Sequence, residues 1–274
     1  MNCDPSNPKG SGMVNVWQEA FPVRFGAIDK SDRLTLDAVF QFFQEAAISH
    51  AENIGVGRED MARTGQVWIL SRMSVLVERR PSYCETVKVR SWPCGFEKLF
   101  AIRNYEIRDK DDITVISAGS GWIIVDIEKR RPLRPQSVME FMPLNQDAKP
   151  INPQVSSLTA LTERKDMQKI AERKALYTDV DYNGHVNNVR YIQWIEDTFE
   201  PELQLLEKAE KMRFDINYLN EILEGEVVEI LSVPITDEDK ANNGTAFAFE
   251  GRKKNKHPQD AGQTAFRAEL RLMV

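Results

Sequence analysis

At 274 residues the chain is long enough for one large or two modest domains, and an apolar content of 42% supplies a core for each. Its formal charge of -6 argues against a general nucleic-acid binder, which needs a basic stripe, and no run approaches the roughly 18 apolar residues of a membrane span. Cys3, Cys84 and Cys94 form no CxxC pair, and His50, His185 and His257 stand in no metal-ligand spacing, so a reducing compartment, no metal and no cofactor are expected.

Residues 1–13, with Pro5, Pro8, Gly10 and Gly12, read as a flexible tail. A helix follows from Leu36 to Asn53, where Val39, Phe43, Ala46, Ala47 and His50 form one stripe and Gly55 and Gly57 end it. Val67 to Arg79, Thr86 to Cys94, Lys98 to Asp109 and Ile113 to Glu128 then read as strands, being rich in aromatic and β-branched residues and divided by turn chemistry. Residues 130–172 read as a linker because prolines at 132, 135, 143, 150 and 153 interrupt any regular element; its end, Leu158 to Lys174, reads as a short helix or a charged approach to a strand. A second helix is expected from Val189 to Glu200, with Ile192, Ile195 and Phe199 at helical spacing and Pro201 as the stop. Arg213 to Leu219, Glu226 to Ile235, Thr245 to Arg252 and Gln263 to Val274 close the chain as strands.

The second half repeats the first. Ile28 to Ala46 lies under Val180 to Thr198 at a constant offset of 152, which sets Phe40 on Ile192, Phe42 on Trp194, Phe43 on Ile195 and Gln41 on Gln193. Downstream the offset becomes 141, pairing Val75 with Ile216, Val77 with Tyr218 and Glu85 with Glu226. The chemistry is not repeated. Residues 181 to 188, Asp-Tyr-Asn-Gly-His-Val-Asn-Asn, carry Asp181, Asn183 and His185 at every second position, a spacing that in extended chain puts all three on one side. Under them lie Asp29, Ser31 and Arg33, so the first copy has lost the cluster. Taken singly, these residues also suit a polar turn capped by Asn187 or Asn188.

The Asp-x-Asn-x-His-x-Asn-Asn run resembles that of the acyl-ACP thioesterases of plants and bacteria, as does Val67 to Arg79 with Trp68, Arg72 and Met73 in a Trp-x-x-x-Arg-Met-x-Val pattern. The resemblance spans about Val14 to Val274 and implies an α+β fold of two tandem hotdog domains, each a long helix wrapped by an antiparallel sheet. It further implies an acyl-binding N-terminal domain at 14–129 and a catalytic C-terminal domain at 173–274. The family's catalytic Glu, from a Glu-Tyr-Arg-Arg-Glu-Cys strand, falls on Glu221 in Asn217 to Ile222, while Ile222 replaces the family's cysteine and closes a Cys-His route; Glu224 and Glu226 are the neighbours reached by a register slip.

The implied activity is hydrolysis of acyl-[acyl-carrier-protein], ending fatty acid elongation. Glu221 would serve as general base or as a covalent nucleophile, His185 as its partner, Asn183 as positioner of water or carbonyl, and Asp181 as their orienter. Backbone N–H groups at the start of the second helix would stabilise the oxyanion. Phe40, Phe42, Phe43, Ile48 and Trp68 are candidates for lining an acyl tunnel, with plain core packing as the alternative for each, and Asn187 and Asn188 are candidate substrate contacts.

The expected partner is acidic acyl carrier protein with its phosphopantetheine arm. It would dock on one of three basic sets: Lys129, Arg130, Arg131 and Arg134; Arg164, Lys165, Lys169, Arg173 and Lys174; or Arg252, Lys253, Lys254 and Lys256. A homodimer is an open arrangement. Plant relatives are expected to carry long plastid-targeting extensions; none is read in the first residues here, which points to a cytoplasmic protein of bacterial type. An acyl-CoA thioesterase and a non-catalytic acyl-binding hotdog protein are the alternative readings.

Overall fold

A computed structural model describes residues 14–135, 138, 142, 155–161, 164, 166–199, 203–235, 244–254 and 262–273. The tail at 1–13, Cys3, Lys165, Lys256, His257, Pro201 and the linker prolines 143, 150 and 153 lie outside these residues.

The N-terminal half contains β1 (Trp17–Pro22), α1 (Leu36–Asn53), α2 (Arg58–Arg63), β2 (Gln66–Val77), β3 (Thr86–Glu97), β4 (Phe100–Arg108), β5 (Thr114–Asp126) and the short β6 (Arg131–Leu133). The C-terminal half contains β7 (Gln168–Lys174), α3 (Asn188–Glu196), α4 (Leu203–Lys208), β8 (Lys211–Tyr218), β9 (Val227–Ile235), β10 (Gly244–Lys254) and β11 (Thr264–Met273). All eleven strands join one antiparallel sheet in the order β1-β3-β4-β5-β2-β8-β11-β10-β9-β7, with β6 on β5. Read from either edge inward, the order is the same: β1-β3-β4-β5-β2 and β7-β9-β10-β11-β8. The duplication is therefore a pseudo-twofold, and its seam is the pairing of β2 with β8, where Arg72 faces Asn217 and Val77 faces Met212.

Each half wraps strands around a helix, the hotdog plan. In α1 the apolar stripe is buried along its length, Thr35 caps the start by accepting the Ala38 N–H, and the chain turns away through Gly55 at φ +73°. Tyr191, Ile192, Trp194 and Ile195 of α3 are buried in the same continuous core as Phe40 and Phe43 of α1, so the two helices pack across the seam. No helix among the described residues is long and apolar enough to cross a membrane.

Two expectations change. The second helix starts at Asn188 and ends at Glu196, short of Glu200, because Thr198 and Phe199 fold back onto the carbonyls three residues earlier and Phe199 packs on Phe247 and Phe249. The stretch read as linker contains β6 and most of β7. Strand β7 was obscured by its composition: an edge strand reading QKIAERK shows charge where a core strand shows alternation, which suits an exposed sheet edge.

Candidate active site

Asp181 to Asn187 do not run extended, as their alternation suggested, but close a tight turn. The Asp181 N–H donates to the His185 carbonyl at 2.9 Å, the Gly184 N–H donates to the Asp181 carbonyl at 3.0 Å, and Asp181 Oδ1 accepts the Asn183 N–H at 2.8 Å. This is Asx-turn chemistry, and it needs a residue at positive φ, supplied by Gly184 at +81°. Asn187 then caps α3, its Oδ1 accepting the Val189 N–H at 2.9 Å, while the Asn188 carbonyl accepts the Tyr218 hydroxyl at 3.1 Å. The Asp181 carboxylate thus fixes the backbone of Asn183, and among the described residues it makes no hydrogen bond to the His185 ring. The Asn183 carboxamide is exposed and bonds to no described residue.

Glu221 comes from the loop after β8, one turn beyond the strand itself. Leu219 and Asn220 N–H groups donate to the Ala265 carbonyl at 2.8 and 3.1 Å, and Asn220 Nδ2 donates to the Thr264 carbonyl at 2.7 Å, so the loop is pinned to β11. Ile222 is wholly buried and its carbonyl accepts the Val186 N–H at 2.8 Å. These anchors bring two loops separated in sequence into register, with a bridge between His185 and Leu223. The result is a contact of 3.0 Å between His185 Nε2 and Glu221 Oε2, with the two side chains 37% and 45% exposed. Arg130 Nη2 approaches the other carboxylate oxygen at 4.0 Å. Glu226 is structural: it accepts the Leu223 N–H at 2.8 Å and pairs with Lys253 at 2.8 Å.

Beside the first turn of α3 a narrow, largely apolar crevice is lined by Phe40, Phe43, Gln44, Leu70, Met73, Tyr105, Trp122, Asn188 and Val189. Phe40 and Phe43 are on its wall, and both are also buried in the continuous core. Trp68 is one layer away, its indole N–H donating to the Val56 carbonyl at 3.0 Å, and it meets that wall through the core cluster it shares with Trp122. Ile48 is 48% exposed and Phe42 packs on Phe21, so neither is among the lining residues. Tyr105 and Trp122 enter the crevice without a buried polar penalty because Ser120 Oγ bonds to both, at 3.1 and 2.8 Å. A wider polar groove lined by Ser157, Thr159, Arg213, Asp215 and Arg271 is remote from this chemistry; Arg213 and Asp215 alternate with the buried Phe214 and Ile216 and so point to the outer face of the sheet.

Several residues were invisible to sequence reasoning. Gln44, Leu70, Tyr105 and Trp122 carry no motif and look like ordinary core or helix residues. Arg58, at the start of α2, sits 3.0 Å over the ring of Tyr182 and ties the N-terminal half to the turn that holds His185. The two described cysteines lie in the N-terminal half: burial pushes the Cys94 thiol up to about 11, and Cys84 is exposed. Among the described residues no group of three His, Cys, Asp or Glu side chains is arranged to hold a metal ion.

Of the basic sets, two are largely neutralised. Lys169 pairs with Glu172 and Glu229, Lys254 with Glu172, Arg164 with Asp166, Arg173 with Asp197 and Arg252 with Glu250. In the third set Lys129 pairs with Asp126, whereas Arg130 lies beside Glu221 and is 82% exposed.

The profile of the acyl-ACP thioesterase N-terminal domain matches residues 14–140, and that of the C-terminal domain matches residues 162–269. The chain is 28% identical over 247 residues to a chloroplastic palmitoyl-acyl carrier protein thioesterase of Cuphea hookeriana, covering 86% of this chain and 58% of the relative. It is 27% identical over 260 residues to a chloroplastic acyl-[acyl-carrier-protein] hydrolase of Cuphea viscosissima, covering 89% of this chain and 61% of that one. The chain therefore spans about three-fifths of the length of these relatives. The crystal structure of an acyl-ACP thioesterase from Bacteroides thetaiotaomicron superposes with a TM-score of 0.75 at 25% identity, over 93% of this chain and 97% of that one. With both domain profiles matched in order across the two halves of one sheet, the chain belongs to the acyl-ACP thioesterase family.

Proposed function

We propose that this protein hydrolyses the thioester of acyl-[acyl-carrier-protein], releasing free fatty acid and carrier protein and so ending chain elongation. The observation that carries the reading is the His185 to Glu221 contact of 3.0 Å, held open to solvent beside the start of α3. The acyl chain enters between Phe40 and Phe43 and widens a crevice of only about 10 Å³; most of its wall comes from the N-terminal half, β1 to β6, and the C-terminal half, β7 to β11, performs the chemistry.

Glu221 takes a proton from water as the water oxygen attacks the thioester carbonyl carbon, and the π electrons of that carbonyl move to its oxygen. His185 Nε2–H donates to the Glu221 carboxylate and fixes which oxygen faces the water. The Asn183 carboxamide, unengaged by described residues, positions the water or the carbonyl, and Asp181 holds Asn183 in place through the turn. The tetrahedral intermediate collapses by re-forming the carbonyl and breaking the C–S bond; the phosphopantetheine thiolate leaves and is protonated by the acid formed on the Glu221 and His185 pair. Arg130, with Lys129, Arg131 and Arg134, provides the cationic rim on which an acidic carrier protein docks.

Hydrolysis rates on a panel of acyl-ACPs and the matching acyl-CoAs test the reading. Turnover on acyl-ACP, with at least tenfold lower kcat/KM on acyl-CoA, is expected; a preference for acyl-CoA would reassign the carrier. Absence of hydrolysis on either would leave an acyl-binding protein. Single turnover in heavy-oxygen water separates the two roles of Glu221, since only a covalent acyl-glutamate leaves the label in the enzyme's own carboxylate.

A further inference from the structure

The pseudo-twofold relates not only the sheets but also the two helix starts. The offset of 152 that sets Asp29 under Asp181 places Leu36 and Asp37 under Asn188 and Val189, and Gln44 under Glu196. In one direction across the seam the contact is closed: Glu196 of α3 reaches the start of α1, where its carboxyl oxygens accept the Leu36 N–H at 3.1 Å and the Asp37 N–H at 3.3 Å. Gln193 reinforces it, donating to Asp37 Oδ2 at 2.6 Å. The start of α1 is therefore filled by the protein itself.

In the other direction the same geometry is open. Gln44 of α1 lines the crevice together with Asn188 and Val189, is half-buried, and its carboxamide makes no hydrogen bond to a described residue. Asn187 Oδ1 occupies the Val189 N–H, which leaves the Asn188 N–H without an acceptor among the described residues. A carboxyl whose two oxygens accept backbone N–H groups in one copy has become, in the other, a carboxamide whose Nε2 carries two N–H donors.

We propose that Gln44 is a further catalytic residue, whose Nε2–H and the Asn188 N–H together bind the thioester carbonyl oxygen and stabilise it as negative charge develops there. The Glu196 carboxyl oxygens on Leu36 and Asp37 mark, in the inactive half, where such an oxygen sits in the active one. Gln44 also lines the apolar crevice proposed for the acyl chain, on which it meets Asn188, three residues after His185. The inference rests on the proposed hydrolysis but not on which group takes the water's proton.

The test uses the full chain with acyl-ACP substrate and three variants. Gln44→Met, of similar length but without a donor, is expected to lower kcat about 100-fold, the usual loss of one oxyanion donor, with KM within about threefold of wild type. Gln44→Glu is expected to lose at least as much, because its carboxylate takes the Asn188 N–H as Glu196 takes the Leu36 N–H. Glu196→Gln, which retains an acceptor on α1, is expected to stay within about twofold. Thermal unfolding of each variant verifies the fold, and either Gln44 variant alone suffices. A Gln44→Met enzyme with wild-type kcat, or one altered only in KM, overturns the proposal. Glu221→Gln, assayed in parallel, keeps the two readings apart: if it is inert while Gln44→Met is fully active, hydrolysis at Glu221 stands and Gln44 falls.

Discussion

The two halves of this molecule build the same loop twice and use it differently. In the N-terminal half the Asp29 N–H donates to the Arg33 carbonyl and the Leu34 N–H to the Pro81 carbonyl; in the C-terminal half Asp181 and His185, then Val186 and Ile222, repeat both bonds. Ser82 and Leu223 N–H groups donate to Glu85 and Glu226 in the same way. Even the positions at positive φ are shared. Asp32 at φ +63° and Cys84 at +68° stand where Gly184 and Gly225 stand at +81° and +78°. A non-glycine residue at positive φ costs free energy, so in the C-terminal copy glycine adopts the turn with less strain. In place of His185 and Glu221 the first copy has Arg33 and Arg80. Arg80, 7% exposed, binds Asp29 Oδ2 at 2.6 Å and the Leu206 carbonyl at 3.1 Å. One copy thus satisfies its acidic residue internally and becomes a strut, while the other leaves a carboxylate and an imidazole facing solvent.

The difference can be broken first at its active end. Glu221→Gln keeps the shape and the contact with His185 but removes the proposed base, and kcat on acyl-ACP is expected to fall by about 10³-fold or more with little change in melting temperature, since the side chain is 45% exposed. Activity near wild type in this variant would sink the assignment of the two halves. His185→Ala is the next largest effect, about 10²-fold to 10³-fold in kcat, because Glu221 survives but loses the donor that orients it. Stopped assays across a range of enzyme concentrations measure both.

How far the comparison could be read from the amino-acid sequence depended on where the signal was local. The limits of α1 follow from a Thr cap, an apolar stripe and Gly55, all adjacent in sequence. The offset of 152 correctly aligned the turns, since tight turns demand fixed spacing. The alternation of Asp181, Asn183 and His185 misled as to conformation, because an Asx turn and an extended strand can share that pattern and only Gly184 distinguishes them. Glu221 was reached by resemblance alone; nothing in Asn217 to Ile222 marks it over Glu224, and its role depends on Ile222 docking in the core opposite Val186. Gln44 and the ring of Tyr182 under Arg58 were out of reach, since their partners come from the other half of the chain. Strand β1 and helix α2 were missed because they are short and mostly exposed, with Met61 as the one buried residue of α2.

The structural end of the comparison breaks at Arg80. Arg80→Met leaves Asp29 without its cation, and a loss of about 2 kcal/mol is expected, below the roughly 3–5 kcal/mol of a fully buried broken pair because the Asp29 side chain is 24% exposed. Burial alone would raise the Asp29 pKa, but the Ser31 hydrogen bond and the Arg80 charge and hydrogen bond outweigh it and hold the carboxyl below its ordinary 3.8. Its folded pKa is depressed, so its contribution is present above 3.8 and is lost as pH falls through the lower folded value. Denaturant unfolding at pH 7 and at pH 3 checks this: the gap between variant and wild type narrows at the acid end. Activity at pH 7 stays within about twofold if Asp29 and Arg80 are only a strut.

The smallest expected effect on turnover lies at the closed helix start. Burial, with the charge of Asp37 adding to it, pushes the Glu196 carboxyl up to about 8, so it is mainly protonated at neutral pH although it accepts two backbone N–H groups. A folded pKa raised above the ordinary 4.5 means stability fully present below 4.5 and lost progressively as pH rises toward 8, since the unfolded chain releases that proton more readily. Wild-type melting temperature is therefore expected to fall as pH rises across this window, each kcal/mol being worth on the order of 2–4 °C for a chain of this size. Glu196→Gln, which cannot ionise and retains the acceptor oxygen, flattens the decline. A melting profile with the same slope in both proteins would mean that Glu196 is already ionised at the seam, so that the first copy holds a carboxylate at its helix start where the second keeps a neutral amide.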